Sequence, residues 1–331
     1  MKVGIVINET WAFFQEIFDL FLQNHQAELF KPSPVKAPIL KQRFQRYQYQ
    51  RDMDQFARSN QVLFFEWASE SLAHFSFRPK QSGIVARLHR YELYQWADKI
   101  NWQNIDQLIV VSQAKKNEII QDFPQLKNKV SVITEAVNLE HFNFKPKPFS
   151  KQIGTLCHLS PRKRVYELIL AFEESKLYQQ GYTLHIGGGR HPKFGDYYKA
   201  IHQLVNRLGL GEAIQFYEHV ENAKAWYEKI DIFISNSYSE GLQVSPMEAI
   251  ASGCYCLSHY WDGADELLPL DNLFITGQEM NQKIKDYAAL SPEQQLQKIT
   301  DLKNRVSLQF DIKNISKEIV SLVENVGANY L

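Results

Sequence analysis

Two glutamates lie eight positions apart in SNSYSEGLQVSPMEAIASG, residues 235–253. The preceding DIFISNS predicts a strand, YSEG a turn, and LQVSPMEAIAS a helix that ends at Gly253, a residue suited to a left-handed cap. Glu240 is then expected at the carboxyl end of a strand and Glu248 early in the next helix. Unpaired N–H groups at that helix start would favour an anion such as a phosphate. The N–H groups in question belong to the segment Gly241, Leu242, Gln243 and Val244.

The same segment also allows a purely structural explanation for the second glutamate, Glu248. Ser245-Pro246-Met247-Glu248 spells a capping box with proline at the first helical position. In that arrangement Glu248 only reaches back to the Ser245 N–H group. The spacing of the two glutamates alone leaves both explanations open.

Short apolar runs with amphipathic stretches between them surround this segment. Runs that are continuous rather than alternating predict parallel strands covered on both faces. In the first half they are 3–8, 62–67, 83–89, 106–112 and 130–134; in the second half they are 152–158, 182–188, 213–217, 231–237 and 254–260. Helical patterns follow at 163–178, 196–208 and 243–252.

The segment HFNFKPKPFSK, residues 141–151, places two prolines among lysines without periodicity, as an inter-domain linker would. Strands alternating with helices on both sides of it predict an α/β protein with two doubly wound domains that face each other. Ligands of such sheets bind at the carboxyl ends of the strands, so we expect the site in a cleft between the domains.

The amino-acid composition limits the kinds of binding partner that are expected. The 331 residues contain 37 Lys and Arg and 37 Asp and Glu, and this balance argues against nucleic acid as a partner. Cys157, Cys254 and Cys256 lie in strand-like runs and are expected to be reduced core thiols. The first residues do not have the pattern of a signal peptide, and no apolar run approaches a membrane span, so a cytoplasmic protein is expected.

The stretch with both glutamates resembles the signature of the retaining, GT-B-fold glycosyltransferases of family 4. In that signature a strand ending in Ser-x-x-Glu-Gly leads to a second Glu and then to Ala-x-x-x-Gly. Further segments resemble the family in the family's order: VARLHRYE (85–92), VSVITEAVNLEHF (130–142), LSPRKRVYELILAF (159–172), LHIGGG (184–189), QLVNRLGLGEAIQFYEHV (203–220) and WDGADEL (261–267).

The resemblance implies roles for individual residues. Glu248 would bind the ribose hydroxyls of a sugar nucleotide, Glu240 would face the donor sugar, and Lys163 would neutralise the diphosphate. His89, in the family's N-domain histidine loop, would contact the donor sugar or the transferring centre. The loop 217–224, which includes His219, would flank the base. No metal is expected, because a cation and helix N–H groups can stabilise the departing diphosphate.

Two departures from the family pattern stand near the expected site. His158 occupies the position where the family usually has arginine, so a titratable group replaces a permanent cation. Beside a phosphate we expect its pKa to be raised, unless burial outweighs that attraction. The first loop, 8–15, reads NETWAFFQ where the family is commonly glycine-rich.

A basic aromatic segment lies between Lys31 and Arg51, with six Lys or Arg, no acidic residue, and Phe44, Tyr47 and Tyr49. It could make peripheral contact with the inner face of a membrane or with a phosphate-bearing acceptor. The alternative is an ordinary amphipathic helix that covers the N-terminal sheet.

The resemblance thus implies a retaining, metal-independent hexosyltransferase. It would move a hexose or N-acetylhexosamine from a nucleotide-sugar, UDP-sugar before GDP-mannose, to a glycan, lipid-linked or cell-envelope acceptor. Residues 1–148 with a returning helix in 312–331 would form the acceptor side, and 149–311 the donor side. Two alternatives remain open: a nucleotide-sugar epimerase of the same fold, and a catalytically inert partner subunit that binds sugar nucleotide.

Overall fold

The computed structural model describes residues 1–11, 14–34 and 41–330 of the chain. The chain divides into two compact units, Met1–Thr134 with Ile312–Leu331, and Glu135–Asp311. The predicted domain boundary at residue 148 therefore lies later in the chain than the boundary between the two compact units. Within the described ranges, no helix combines the length and the apolar composition that a membrane crossing requires.

The first unit is built on a six-stranded parallel sheet with the order β2-β1-β3-β4-β5-β6. Its strands are β1 Lys2–Val6, β2 Gln26–Leu29, β3 Val62–Phe65, β4 Gly83–Leu88, β5 Gln107–Val110 and β6 Val130–Val132. The helices between them are α1 Gln15–Asn24, α2 Lys41–Ser59, α3 Glu70–Phe75, α4 Arg90–Gln95 and α5 Gln113–Asp122.

The second unit repeats this plan with the strand order β12-β11-β10-β7-β8-β9, again all parallel. Its strands are β7 Gln152–Leu156, β8 Thr183–Gly187, β9 Ile214–Tyr217, β10 Ile232–Ser235, β11 Tyr255–His259 and β12 Leu273–Phe274. Its helices are α6 Val165–Ser175, α7 Gly195–Leu208, α8 Ala223–Tyr227, α9 Val244–Ala251, α10 Ala264–Leu267, α11 Gly277–Ala288 and α12 Pro292–Gln309.

The last helix, α13 Ile312–Gly327, packs with the first unit, against α1, β3 and β4. Its buried positions Ile315, Ile319 and Val323 recur every four residues, which places them on one face. Glu324 on the same helix contacts His25 Nε2 at 2.9 Å.

The prediction of two doubly wound α/β domains is confirmed by the two parallel sheets with helical crossovers. Every residue of β3 and β4 is buried, as expected for strands covered on both faces. Two strands were not predicted. In β2 no residue is fully buried, and β12 has only two residues, so neither edge strand produces a continuous apolar run.

Glycines form one turn at each edge of the second sheet. Gly253, after α9, has φ +96°, and a Cβ there would lie 3.1 Å from the Lys145 carbonyl oxygen. Gly188, after β8, has φ +129°, and a Cβ would lie 1.9 Å from the Cys157 carbonyl oxygen. The positive φ disfavours a side chain at both positions, and at Gly188 there is also no space for one.

Candidate functional site

Two loops leave the second sheet at the carboxyl ends of neighbouring strands. Strand β10 pairs with β7, so the loop before α9 and the loop before α6 emerge side by side. Asn236 Nδ2 donates to the Arg164 carbonyl at 2.9 Å, and the Tyr238 N–H group donates to the Arg162 carbonyl at 3.2 Å. These bonds join two segments that are more than 70 residues apart in sequence.

Glu240 lies at the centre of this junction and is only 7% exposed. Its Oε1 accepts from Lys163 Nζ at 2.7 Å and from Gln243 Nε2 at 2.8 Å, and it forms an ion pair with Arg162 Nη1. Burial by itself would raise the pKa of this carboxyl. The charges and hydrogen bonds of Lys163 and Arg162 outweigh burial and lower the pKa to about 2. Glu240 is therefore an anion at every physiological pH.

Hydrogen bonds fix the side chain of Gln243, as they fix the Glu240 carboxylate that it contacts. It is 6% exposed, its Oε1 accepts from Ser235 Oγ, and its Nε2 also reaches Ser237 Oγ at 3.2 Å. Gln243 is the residue before α9, and its side chain makes no capping bond. The predicted anion-binding segment, Gly241 to Val244, thus lies directly at the start of this helix, next to the Lys163 and Glu240 pair.

Glu248 does not form the capping box that the letters Ser-Pro-Met-Glu allow. Helix α9 begins one residue before Ser245, and Glu248 Oε2 instead accepts from the Tyr227 hydroxyl at 2.9 Å. Burial raises the pKa of Glu248, although the Tyr227 bond and the nearby His141 act in the opposite direction. Burial also raises the pKa of Tyr227 well above 10, so the phenol keeps its proton and remains a donor.

Two histidines accompany the cations at this edge. His158 follows β7, and the exposed His219 follows β9. His158 is itself exposed to solvent, but partial desolvation lowers the pKa of its imidazole, and Lys163, His191, Arg162 and His219 lower it further. This direction is opposite to the one expected beside a phosphate, because partial desolvation and the nearby cationic and histidine side chains all disfavour the protonated imidazole.

Because the pKa of His158 is lowered, we expect its imidazole to be neutral, and its charge to stay constant, in the alkaline range. We expect His158→Gln and the wild type to have kcat profiles of the same shape between pH 7 and 9. An alkaline decline in the wild type that His158→Gln removes would contradict a neutral His158.

His89 belongs to the first unit and directly precedes α4. Its ring stacks on Trp67 with a centroid distance of 4.2 Å. Its Nδ1 lies 3.5 Å from the fully buried Glu92, and its Nε2 lies 3.9 Å from Glu66, which pairs with Arg87. These contacts fix the orientation of the imidazole.

The structure thus brings Lys163, Glu240, Gln243 and the start of α9 together in the second unit. Sequence reasoning missed two residues there, Arg162 and Tyr227. Arg162 could have been found, because it directly precedes Lys163 in the same loop. Tyr227 could not, since it lies in a short helix without a motif.

Comparison with known proteins adds a family match for this unit. Residues 138–291 match the family model described as glycosyl transferases group 1. No curated protein sequence matches the chain.

Solved structures resemble the chain over nearly its full length. HepE from Anabaena, in complex with UDP and glucose, has 19% identity and a TM-score of 0.77, and the match covers 98% of this chain and 99% of that chain. Sucrose-phosphate synthase from Thermosynechococcus elongatus has 13% identity and a TM-score of 0.77, with 99% of each chain covered. A glycosyltransferase from Rickettsia africae ESF-5 has 13% identity and a TM-score of 0.76, with 98% of each chain covered. With the two parallel sheets, these likenesses give the GT-B fold.

Proposed function

From a GT-B fold whose second unit matches glycosyl transferases group 1, we propose a retaining glycosyltransferase that uses a nucleotide-sugar donor. This proposal rests on the contacts between the loop before α6 and the loop before α9, at the carboxyl ends of the strands of the second sheet. Lys163 is held 2.7 Å from a buried anion, beside the free N–H groups of α9. A diphosphate bound there would meet a cation and a helix N-terminus together.

The chemistry of sugar transfer needs this arrangement. When the bond between the sugar C1 atom and the diphosphate oxygen breaks, negative charge collects on the departing nucleoside diphosphate and the sugar becomes oxocarbenium-like. Lys163 and the α9 N–H groups would stabilise the leaving group, and we propose that they do so without a metal. Glu240 would face the donor sugar, and His89 would contact the donor sugar or the transferring centre.

Glu248 would bind the ribose hydroxyls of the donor. A carboxylate accepts from both hydroxyls of a ribose, and Tyr227 already fixes the orientation of this one through a bond of 2.9 Å. We propose a UDP-sugar, with a hexose or N-acetylhexosamine, as the donor and GDP-mannose as the second choice. The likeness to HepE, solved in complex with UDP-glucose, supports UDP. His219 would flank the base.

The acceptor side would be residues 1–148 with 312–331, and the donor side 149–311. A cavity of about 1060 Å³ in the first unit supports the acceptor role. Its lining combines hydrogen-bonding groups with aromatic faces, as a sugar requires. The lining residues are Asn8, Glu9, Gln45, Arg46, Tyr49, Ser69, Glu70, Ser71, His74 and Trp96. We propose a glycan, a lipid-linked or a cell-envelope acceptor.

We further propose a cytoplasmic enzyme with peripheral membrane contact through 31–51. Of this segment, 35–40 lie outside the described residues. In the part that forms α2, Phe44 and Tyr47 are 53% and 67% exposed among arginines. Aromatic and basic side chains on one exposed helix suit an anionic lipid surface.

The test is product formation from UDP-sugars and GDP-mannose against a panel of acceptors. We expect transfer from a UDP-sugar, an anomeric configuration that NMR shows to be retained, and activity that persists in EDTA. Inverted product, or activity lost in EDTA and restored by Mn²⁺, would reject the mechanism. Epimerised donor would instead indicate an epimerase, and donor binding without any turnover would indicate an inert partner subunit.

A further inference from the structure

Arg162 shares the carboxylate oxygen that binds Lys163. Its Nη1 forms an ion pair with Glu240 Oε1 and donates to the Ser239 carbonyl at 2.8 Å. Its own carbonyl accepts from Tyr238 at 3.2 Å, so both its backbone and its side chain are fixed to the loop before α9. The side chain of Arg162 is 27% exposed, against 12% for Lys163.

We propose that Arg162 is the second permanent cation of the donor diphosphate site. This inference rests on the proposed function, because it names a further residue for the same leaving group. Arg162 would then supply the positive charge that, in the resembled glycosyltransferases, usually comes from an arginine at the position that His158 occupies in this chain.

The charges of Lys163 and Glu240 favour such a residue. A nucleoside diphosphate brings at least two negative charges, whereas Lys163 supplies one positive charge and Glu240 is an anion that cancels it. Lys163, Arg162, His191 and His219 all lower the pKa of His158, so its imidazole is not a permanent cation. An arginine guanidinium, by contrast, is a permanent cation. With Arg162, the group of Arg162, Lys163 and Glu240 has a net charge of +1.

The guanidinium can contact a phosphate without releasing Glu240. Arginine has five N–H donors in a planar fork. Only Nη1 is used on Glu240 and Ser239, and within the described part of the chain Nε and Nη2 of Arg162 have no acceptor. The remaining donors match the geometry of phosphate oxygens, and Glu240 holds the side chain in place for them.

The test measures binding of UDP and UMP by calorimetry to the wild type, to Arg162→Gln and to Arg162→Lys. We expect Arg162→Gln to weaken UDP binding about 10-fold to 100-fold, the range for a lost hydrogen bond between charged groups. UMP should lose less, because it has no terminal phosphate. Arg162→Lys should retain part of the affinity, since it retains the charge. The exposed Arg207 on α7 provides a matched control, and Arg207→Gln should bind UDP as the wild type does.

A second variant tests whether a permanent cation at position 158 can replace the positive charge of Arg162. His158→Arg in the Arg162→Gln background should recover UDP affinity, because it restores a permanent cation beside Lys163. A merely structural Arg162 would lower the melting temperature and leave UDP affinity unchanged, and that result would overturn the inference. Equal losses for UDP and UMP would also overturn it. Wild-type protein that binds neither UDP nor GDP would instead remove the proposed function, and this inference with it.

Discussion

Lys163→Ala is expected to lower turnover by about 10²-fold or more. The ammonium group is the less exposed of the two cations on Glu240, and it lies beside the start of α9. If it stabilises the charge that develops on the leaving diphosphate, its loss acts on the transition state more than on donor binding. The measurement is kcat and KM for a UDP-sugar, and we expect the larger change in kcat.

Stability needs a separate readout for this variant, because Glu240 is buried and loses one of its two cations. A melting curve detects that effect, and kinetics measured well below the midpoint separate it from catalysis. The control is Lys298→Ala, since Lys298 is exposed on α12. Removal of an exposed lysine usually changes stability by less than about 0.5 kcal/mol. A Lys163→Ala variant as active as the control would remove Lys163 from the mechanism.

Glu248→Gln is expected to weaken UDP binding by about 10-fold or more, because a hydrogen bond to a charged group contributes roughly 1.5–3 kcal/mol. Glutamine presents one acceptor oxygen and no charge to the ribose hydroxyls. Little change in melting temperature is expected, because Glu248 makes no capping bond and glutamine can still accept from Tyr227. Calorimetry with UDP and a melting curve measure the two effects.

The pH dependence of UDP binding provides a second readout for Glu248. Its pKa is raised, so in the wild type the carboxylate protonates at a higher pH than an ordinary glutamate and UDP affinity should fall on the acid side. Glu248→Gln should lack that contribution. Glu212→Gln, at an exposed position before β9, serves as the control. Unchanged UDP affinity together with an unchanged melting temperature would assign Glu248 no role in binding.

The fold could be predicted from the sequence because strands buried on both faces appear in it as continuous apolar runs. The ten apolar runs all correspond to observed strands, and the three helical patterns correspond to α6, α7 and α9. Edge strands leave no such trace, since β2 is partly solvated and β12 is very short. The glycine-terminated helix after Glu240 was also predicted, and it ends before Gly253 as expected.

The site was predictable only as separate pieces. Lys163 and Glu240 were each found in a recognisable segment, but they are 77 positions apart and meet because β7 and β10 are neighbours in the sheet. That Glu248 makes no capping bond depended on where α9 begins and on Tyr227, 21 positions earlier. Neither can be read from a local pattern, because both depend on how distant segments pack.

By itself the sequence determined the two α/β halves, the order of their elements and the residue types available at the strand ends. These properties are local, since they follow from hydrophobic periodicity and from turn and cap residues. Only the tertiary structure decided which charges share an atom, and it placed Arg162 and Lys163 on one oxygen of Glu240. It also decided the direction in which the pKa of His158 shifts, because that direction depends on partial desolvation and on cations that folding brings near.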